Sequence, residues 1–345
     1  MRLIIGVVCT RALREWHHRR RGVVTSKELS PMEYVNMGRS GLKVSRVALG
    51  CGFRGMTDQD LMERIIRHAI DKGVNFIDCA NTYVGGIGEQ VLGRVLPGQR
   101  DELVITTKVT SIVGEGPNDI GSSRYHIMRE IDRSLRRLQT DHVDIYIVHW
   151  RDQTTPLDET VRAMTDVVAS GKTRYWGVSS YQAWEACQAL WLADRAVAPG
   201  FITTQNQYSL LCRNPEQELF PFCREFGIGV MAFSPLAVGV LSGDLQQGQP
   251  APAGTLWERQ PPYEMESVLT DRAQRVIDAL REIGASHGRH PTAVAIRWVI
   301  SRPEVATAIA GPDTTEQLDA YLEAAGWELT AEEIAQLDEA SDPAG

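Results

Sequence analysis

Eight short runs rich in apolar and β-branched residues alternate along the chain with amphipathic helical stretches, and this alternation constrains the fold more than any other feature. The runs fall at 46–50, 75–78, 103–107, 143–148, 174–178, 201–205, 229–233 and 305–310. Several are almost wholly apolar, as expected of parallel strands covered on both faces. Among the helical stretches, 58–72 carries Leu61, Ile65, Ile66 and Ile70 at helical spacing and stops at Gly73, a C-cap residue. The segment 124–138 places Ile127, Ile131, Leu135 and Leu138 on one face. Further helices are expected at 157–170, 184–193, 216–226, 271–287, 291–301, 315–325 and 331–339. Eight βα units predict an α/β fold of the (β/α)8 TIM-barrel type. An open doubly wound sheet is the alternative, but no G-x-G-x-x-G follows any of the strands.

One barrel with loop insertions suits 345 residues. The expected organisation is an N-terminal extension over 1–31 and a single barrel domain over 32–345. The extension stands apart in charge. Arg2, Arg11, Arg14, Arg19, Arg20, Arg21 and Lys27 face only Glu15 and Glu28, whereas the whole chain carries a net charge of -8. Its apolar start is short for a signal peptide, so it reads as a disordered or mis-assigned start, with a transit peptide as the alternative. The acidic balance argues against a nucleic-acid partner. Cys9, Cys51, Cys79, Cys187, Cys212 and Cys223 form no C-x-x-C and no zinc spacing, which suits free thiols in a reducing, cytoplasmic setting and no metal site. No apolar run is long enough to span a membrane. No feature of the sequence assigns an oligomeric state.

Barrels carry their chemistry at the C-terminal ends of the strands. Asp78 and Tyr83 follow the second run, Lys108 ends the third and His149 the fourth, bringing a carboxylate, a phenol, an ammonium and an imidazole toward one mouth. Taken singly, each has a plainer reading: a cap or loop residue for Asp78 and Tyr83, a snorkelling side chain for Lys108, a core histidine for His149. Between Leu241 and Leu269 lies a Gly-, Pro- and Gln-rich stretch that would follow the seventh strand at the same face. Its Trp257, Tyr263 and Met265 are apolar enough to cover a small organic carbonyl.

From about Tyr34 to Asp338 the chain resembles the aldo-keto reductase superfamily. The matching pieces are GRSGLKVSRVALG, GVNFIDCANTY, GEQVLGRVL, LVITTKV, RSLRRLQTDHVDIYIVHW, GKTRYWGVSS, QNQYSLL and MAFSPLAVGVLSG, and their order and spacing are together highly specific. YWGVSSY and FSPLAVGVLSG look most like the branch of bacterial reductases and potassium-channel beta subunits. The resemblance implies reduction of an aldehyde or ketone by hydride from a nicotinamide cofactor, with Tyr83 as proton donor. Lys108 would lower the phenol's pKa, Asp78 would orient Lys108, and His149 would hydrogen-bond the carbonyl. It also implies that Ser179 and Gln205 hold the nicotinamide carboxamide and Phe233 stacks on the ring. Ser234, Leu236, Gly239 and Leu241 would wrap the pyrophosphate, and Gly311, Asp313 and Gln317 would lie at the adenosine end. Phe53 and Trp150 would line the substrate mouth.

One departure bears on the cofactor. The family often carries Arg or Lys where this chain has Asp313, and Asn where it has Tyr321. The family favours NADP(H). A carboxylate would repel its 2′-phosphate but accept hydrogen bonds from the ribose of NAD(H). Alternatively, Asp313 caps the helix starting near Thr315. Two other functions are the alternatives: a nicotinamide-binding, redox-sensing regulatory subunit, which would keep the same residues, and a barrel lyase or isomerase using Lys108 as a Schiff base, which Asp78 and Tyr83 fit less well.

Overall fold

The computed structural model describes residues 32–246 and 248–342, so the basic segment 1–31 lies outside the described residues. Eight parallel strands, β3 (Val47–Gly50), β4 (Phe76–Asp78), β5 (Val104–Val109), β6 (Val143–Val148), β7 (Thr173–Ser179), β8 (Thr203–Gln207), β9 (Gly229–Phe233) and β10 (Val305–Ala310), follow one another round a closed barrel. The ring shuts where β10 pairs with β3, Ala308 opposite Val47 and Ala310 opposite Leu49. Each coincides with an expected run to within a few residues.

The helices pack outside this ring. They are α1 (Gln59–Asp71), α2 (Ile87–Val95), α3 (Arg124–Leu138), α4 (Leu157–Ala169), α5 (Ala183–Arg195), α6 (Leu219–Phe226), the short α7 (Leu256–Arg259) and α8 (Met265–Val268), then α9 (Asp271–His287), α10 (Pro291–Ile300), α11 (Thr315–Leu322) and α12 (Ala331–Ala340). The boundaries have local causes. The Asp58 side chain accepts from Asp60 N and Leu61 N to start α1, Ser123 accepts from His126 N to start α3, and Gly227 and Gly288 end α6 and α9 in left-handed conformation. Among the described residues no helix is long and apolar enough to cross a membrane.

Beside the short α7 and α8, which fall in the stretch expected as a loop, two larger pieces were not anticipated. Helix α2 sits in a glycine-rich stretch, and glycine argues against a helix interior. Here Gly93 permits close packing: a Cβ on it would lie 2.4 Å from the Arg137 carbonyl of α3. The second element is an antiparallel hairpin of β1 (Tyr34–Asn36) and β2 (Lys43–Ser45). Strands of three residues are too short for an alternation pattern to register. Its turn enters the N-terminal end of the barrel, where Gly38, at φ +55, would place a Cβ 2.4 Å from Gly227 O. Met37 and Val44, both fully buried, join Phe76, Val104, Ile145 and Met231 in the cluster that fills the barrel interior. The hairpin therefore plugs one end, leaving the C-terminal rim as the open one.

Candidate active site

Strand side chains alternate between the interior and the helix layer, so every second residue points inward. The inward rows are apolar at depth and polar at the C-terminal rim: Phe76 then Asp78 on β4, Val104 then Thr106 and Lys108 on β5, Ile145 and Ile147 then His149 just past β6. This periodicity turns three ordinary strands into a ring of ionisable groups above a greasy floor.

The structure brings all four expected residues together. Lys108 Nζ, fully buried, donates to Asp78 Oδ2 at 2.7 Å, to the Cys79 carbonyl at 2.7 Å and to the Tyr83 hydroxyl at 3.1 Å. Asp78 Oδ1 accepts from the Thr106 hydroxyl at 2.7 Å and from Gln205 Nε2 at 2.9 Å. The rings of Tyr83 and His149 meet edge to face with centroids 6.1 Å apart, and His149 Nδ1 lies 3.1 Å from Ser111 Oγ.

Environment sets the proton states. Burial alone would push the Lys108 ammonium down, but Asp78 and then Tyr83 outweigh it and hold the group above its ordinary value, so it stays charged. Burial pushes the Tyr83 phenol above its ordinary value; Lys108 opposes that rise without reversing it. Lys108 thus acts on the phenol in the expected direction, lowering it, but desolvation is the larger effect and the net displacement is upward. Tyr83 remains a proton carrier. Burial, and then the charge of Lys108, hold the His149 imidazole down to about 3, so it is neutral at physiological pH.

The remaining rim is unusual in its backbone. Of nine non-glycine residues with positive φ among the described residues, seven (Phe53, Val84, Thr110, Ser180, Ser234, Ala237 and Val238) follow the C-terminal ends of barrel strands. Such conformations cost roughly 1–3 kcal/mol each and cluster where function fixes the chain. Three of them, with Gly239 at φ +93, lie in the turn after β9 that holds the expected pyrophosphate contacts. Ser234 and Gly239 are partly accessible there, whereas Leu236 and Leu241 are buried, the Leu241 N–H donating to the Leu236 carbonyl at 3.1 Å, so these two leucines shape the turn from behind and present little surface to a ligand. Ser179 Oγ lies 3.4 Å from Ser180 Oγ, and Ser179 is directly opposite Gln205 in the sheet. The Gln205 amide nitrogen donates to Asp78, which leaves its carbonyl oxygen as an acceptor, and the partly buried Phe233 stands on the adjacent strand, opposite Gln207. Uncharged hydrogen-bonding groups, an aromatic ring on the next strand and a run of left-handed backbone suit a nicotinamide carboxamide and a pyrophosphate.

Asp313 does not cap the helix that follows it. The N-cap of α11 is Thr314, whose hydroxyl accepts from Gln317 N. Gln317 Oε1 accepts from Asp313 N at 2.7 Å, and Gly311 is exposed. The Asp313 carboxylate faces the strap between β9 and α9, where it pairs with Arg259 and accepts from Leu256 N at 3.1 Å. Arg259 also donates to the Arg54 carbonyl at 3.2 Å, so the strap is tied to the loops after both the first and last barrel strands. Trp257, expected over the substrate, is instead buried, its indole N–H donating to Val238 O at 2.7 Å. Trp150 is 38% exposed, with its ring centroid 5.0 Å from that of His149. Phe53 is only 6% exposed, so it packs into the core and presents little surface to a ligand.

Sequence reasoning missed Thr106, the Cys79 carbonyl and Ser111. Thr106 was within reach, being two residues before Lys108 on the same strand and hence on the same face. A backbone carbonyl and a loop serine carry no such signal.

A barrel with a buried lysine–carboxylate pair, a phenol and a neutral imidazole on its open rim is of the kind that moves protons at a polarised substrate. Comparison with known proteins fixes the class further. The chain belongs to the aldo/keto reductase family, whose sequence profile matches residues 47–342. It is 37% identical over 320 residues to an uncharacterized oxidoreductase, YrpG, of Bacillus subtilis (89% of this chain, 95% of the relative). It is 36% identical over 294 residues to a probable voltage-gated potassium channel subunit beta of Oryza sativa subsp. japonica (83% and 89%). It is also 34% identical over 341 residues to the versiconal hemiacetal acetate reductase of Aspergillus parasiticus (89% and 96%).

Proposed function

We propose that this protein reduces an aldehyde or ketone to the alcohol with a nicotinamide cofactor, and that Tyr83 gives up the proton. The observation that carries this reading is the Tyr83 hydroxyl, 3.1 Å from a Lys108 ammonium that Asp78 fixes at 2.7 Å. The family, and the relatives named as an oxidoreductase and a reductase, support it.

Ser179, Gln205 and Phe233 would hold the nicotinamide, the 234–241 turn the pyrophosphate, and Gly311, Asp313 and Gln317 the adenosine end. The cofactor supplies the hydride. The chain's own residues handle the oxygen. Tyr83, held protonated by burial, donates a hydrogen bond to the carbonyl oxygen and then transfers its proton as negative charge grows there. Lys108 stabilises the phenolate left behind, and Asp78, Thr106 and Gln205 keep the ammonium in place. Neutral His149 offers a second donor to the oxygen without competing as an acid. We assign NADP(H) as the cofactor and keep NAD(H) as the alternative. The Asp313 carboxylate is already paired with Arg259, so it does not stand as a free charge against a 2′-phosphate.

Tyr83→Phe tests the mechanism. Turnover should fall by about 10²–10⁴-fold while the affinity for NADPH, read by fluorescence titration, stays within a factor of two. Near-normal turnover would sink the proton-donor assignment, and tighter binding of NADH than of NADPH would reverse the cofactor assignment. A second reading, a redox-sensing regulatory subunit, draws on the relative named as a channel subunit beta. It predicts cofactor binding by the purified chain without turnover of any carbonyl.

A further inference from the structure

We infer that the buried ion pair Glu89–Arg137, outside the site itself, is a positioning device that sets the Lys108–Tyr83 distance; this rests on the reading of Tyr83 as proton donor. Glu89 lies on α2 and is fully buried, an expensive place for a carboxylate without strong partners. It has two. Its Oε1 accepts from the Thr107 hydroxyl at 2.5 Å, and its Oε2 accepts from Arg137 Nε of α3 at 2.6 Å. Thr107 immediately precedes Lys108 and points outward from β5, so Glu89 holds from behind the stretch of strand that presents the ammonium inward.

Arg137 reaches the other half of the contact. Its side chain lies directly under Gly86, where a Cβ would fall 3.2 Å from the Arg137 Cδ and 3.4 Å from its Nε. Gly86 closes the turn Tyr83–Gly86, whose Val84, Gly85 and Gly86 all have positive φ. A turn of that shape has little internal preference for its conformation and depends on what supports it. A second buried carboxylate holds the chain two residues before that turn: Glu130 of α3 accepts from Asn81 Nδ2 at 3.4 Å and from Arg133 Nη1 at 2.8 Å. One carboxylate thus grips the strand carrying Lys108 and, through a guanidinium, the turn carrying Tyr83. Displacements of about 1 Å at a reacting group cost on the order of 100-fold in rate.

The test is a double-mutant cycle between Glu89→Gln and Tyr83→Phe, measured as kcat and KM for a model aldehyde together with the NADPH Kd. With Tyr83 present, Glu89→Gln should lower kcat about 10–100-fold and leave KM and Kd within twofold. In the Tyr83→Phe background the same substitution should change the residual rate by less than twofold, because the group it positions is gone. Arg137→Lys, which retains both the charge and an aliphatic stem under Gly86, should stay within about fivefold of the parent, while Arg137→Gln should not. Equal losses in both backgrounds, or a loss in KM and Kd rather than kcat, would overturn the inference and leave the pair a purely structural one. Absence of turnover in the parent protein would overturn both this inference and the reductase reading, whereas parent turnover with an unaffected Glu89→Gln variant overturns this inference alone. If Glu89→Gln does not fold, Thr107→Val cuts the strand side of the link without unpairing Arg137 and should show the same dependence on Tyr83.

Discussion

Lys108 illustrates how one buried side chain ties stability to chemistry. Both it and Asp78 are almost wholly shielded from water, and each satisfies the other. Lys108→Met should cost about 3–5 kcal/mol in urea unfolding, since Asp78 is left as a buried charge without its cation. The double change Lys108→Met with Asp78→Asn should recover most of that stability, and neither variant should turn over; a single variant as stable as the parent would refute the pairing. His149 makes a pH prediction. Its folded pKa of about 3 lies below the unfolded value near 6.5, so below pH 6.5 the unfolded chain binds a proton that the folded one refuses. That imidazole therefore erodes stability as pH falls from about 6.5 toward 3, by at most about 1.4 kcal/mol per pH unit. His149→Gln should flatten this acid limb in urea titrations between pH 4 and 7, and an unchanged limb would place the loss elsewhere. The four rim residues were legible in sequence because barrel strands end where chemistry begins. Their proton states were not, because desolvation depends on neighbours that only the fold assembles.

At the scale of elements, strands and long helices were legible and short or strained pieces were not. The runs at 143–148, 229–233 and 305–310 and the helices at 124–138 and 271–287 match their observed limits, because long periodic patterns outweigh local exceptions. Helix α2 and the hairpin escaped notice because their glycines serve close approach to α3 and to the barrel floor, partners a linear reading does not see. The strap between β9 and α9 was expected as a loop over the mouth, but its anchoring was not, since Arg259 and Asp313 are 54 residues apart. Asp313→Ala removes an ion pair and the acceptor for Leu256 N at the start of α7. Limited proteolysis should then cut between residues 245 and 269 at least about tenfold faster, as expected of a segment whose local opening has become cheaper. An unchanged cleavage rate would mean that Trp257 and the Val238 carbonyl alone hold the strap down.

For the whole molecule, the β3–β10 seam joins segments about 260 positions apart, which only a complete ring can satisfy. Arg46 reaches across it at the lower rim to the Val305 and Ala306 carbonyls, and Arg259 bridges Arg54 and Asp313 at the upper one. The ring was legible from the count of βα units; the stitches at its seam were not, because they join loops rather than periodic elements. The hairpin that stoppers the lower end also divides the labour for protein engineering. Met37, Gly38 and Val44 pack at the N-terminal end of the strands, whereas Tyr83 and His149 follow their C-terminal ends, so a repacked stopper can raise thermal tolerance with the reacting groups left untouched.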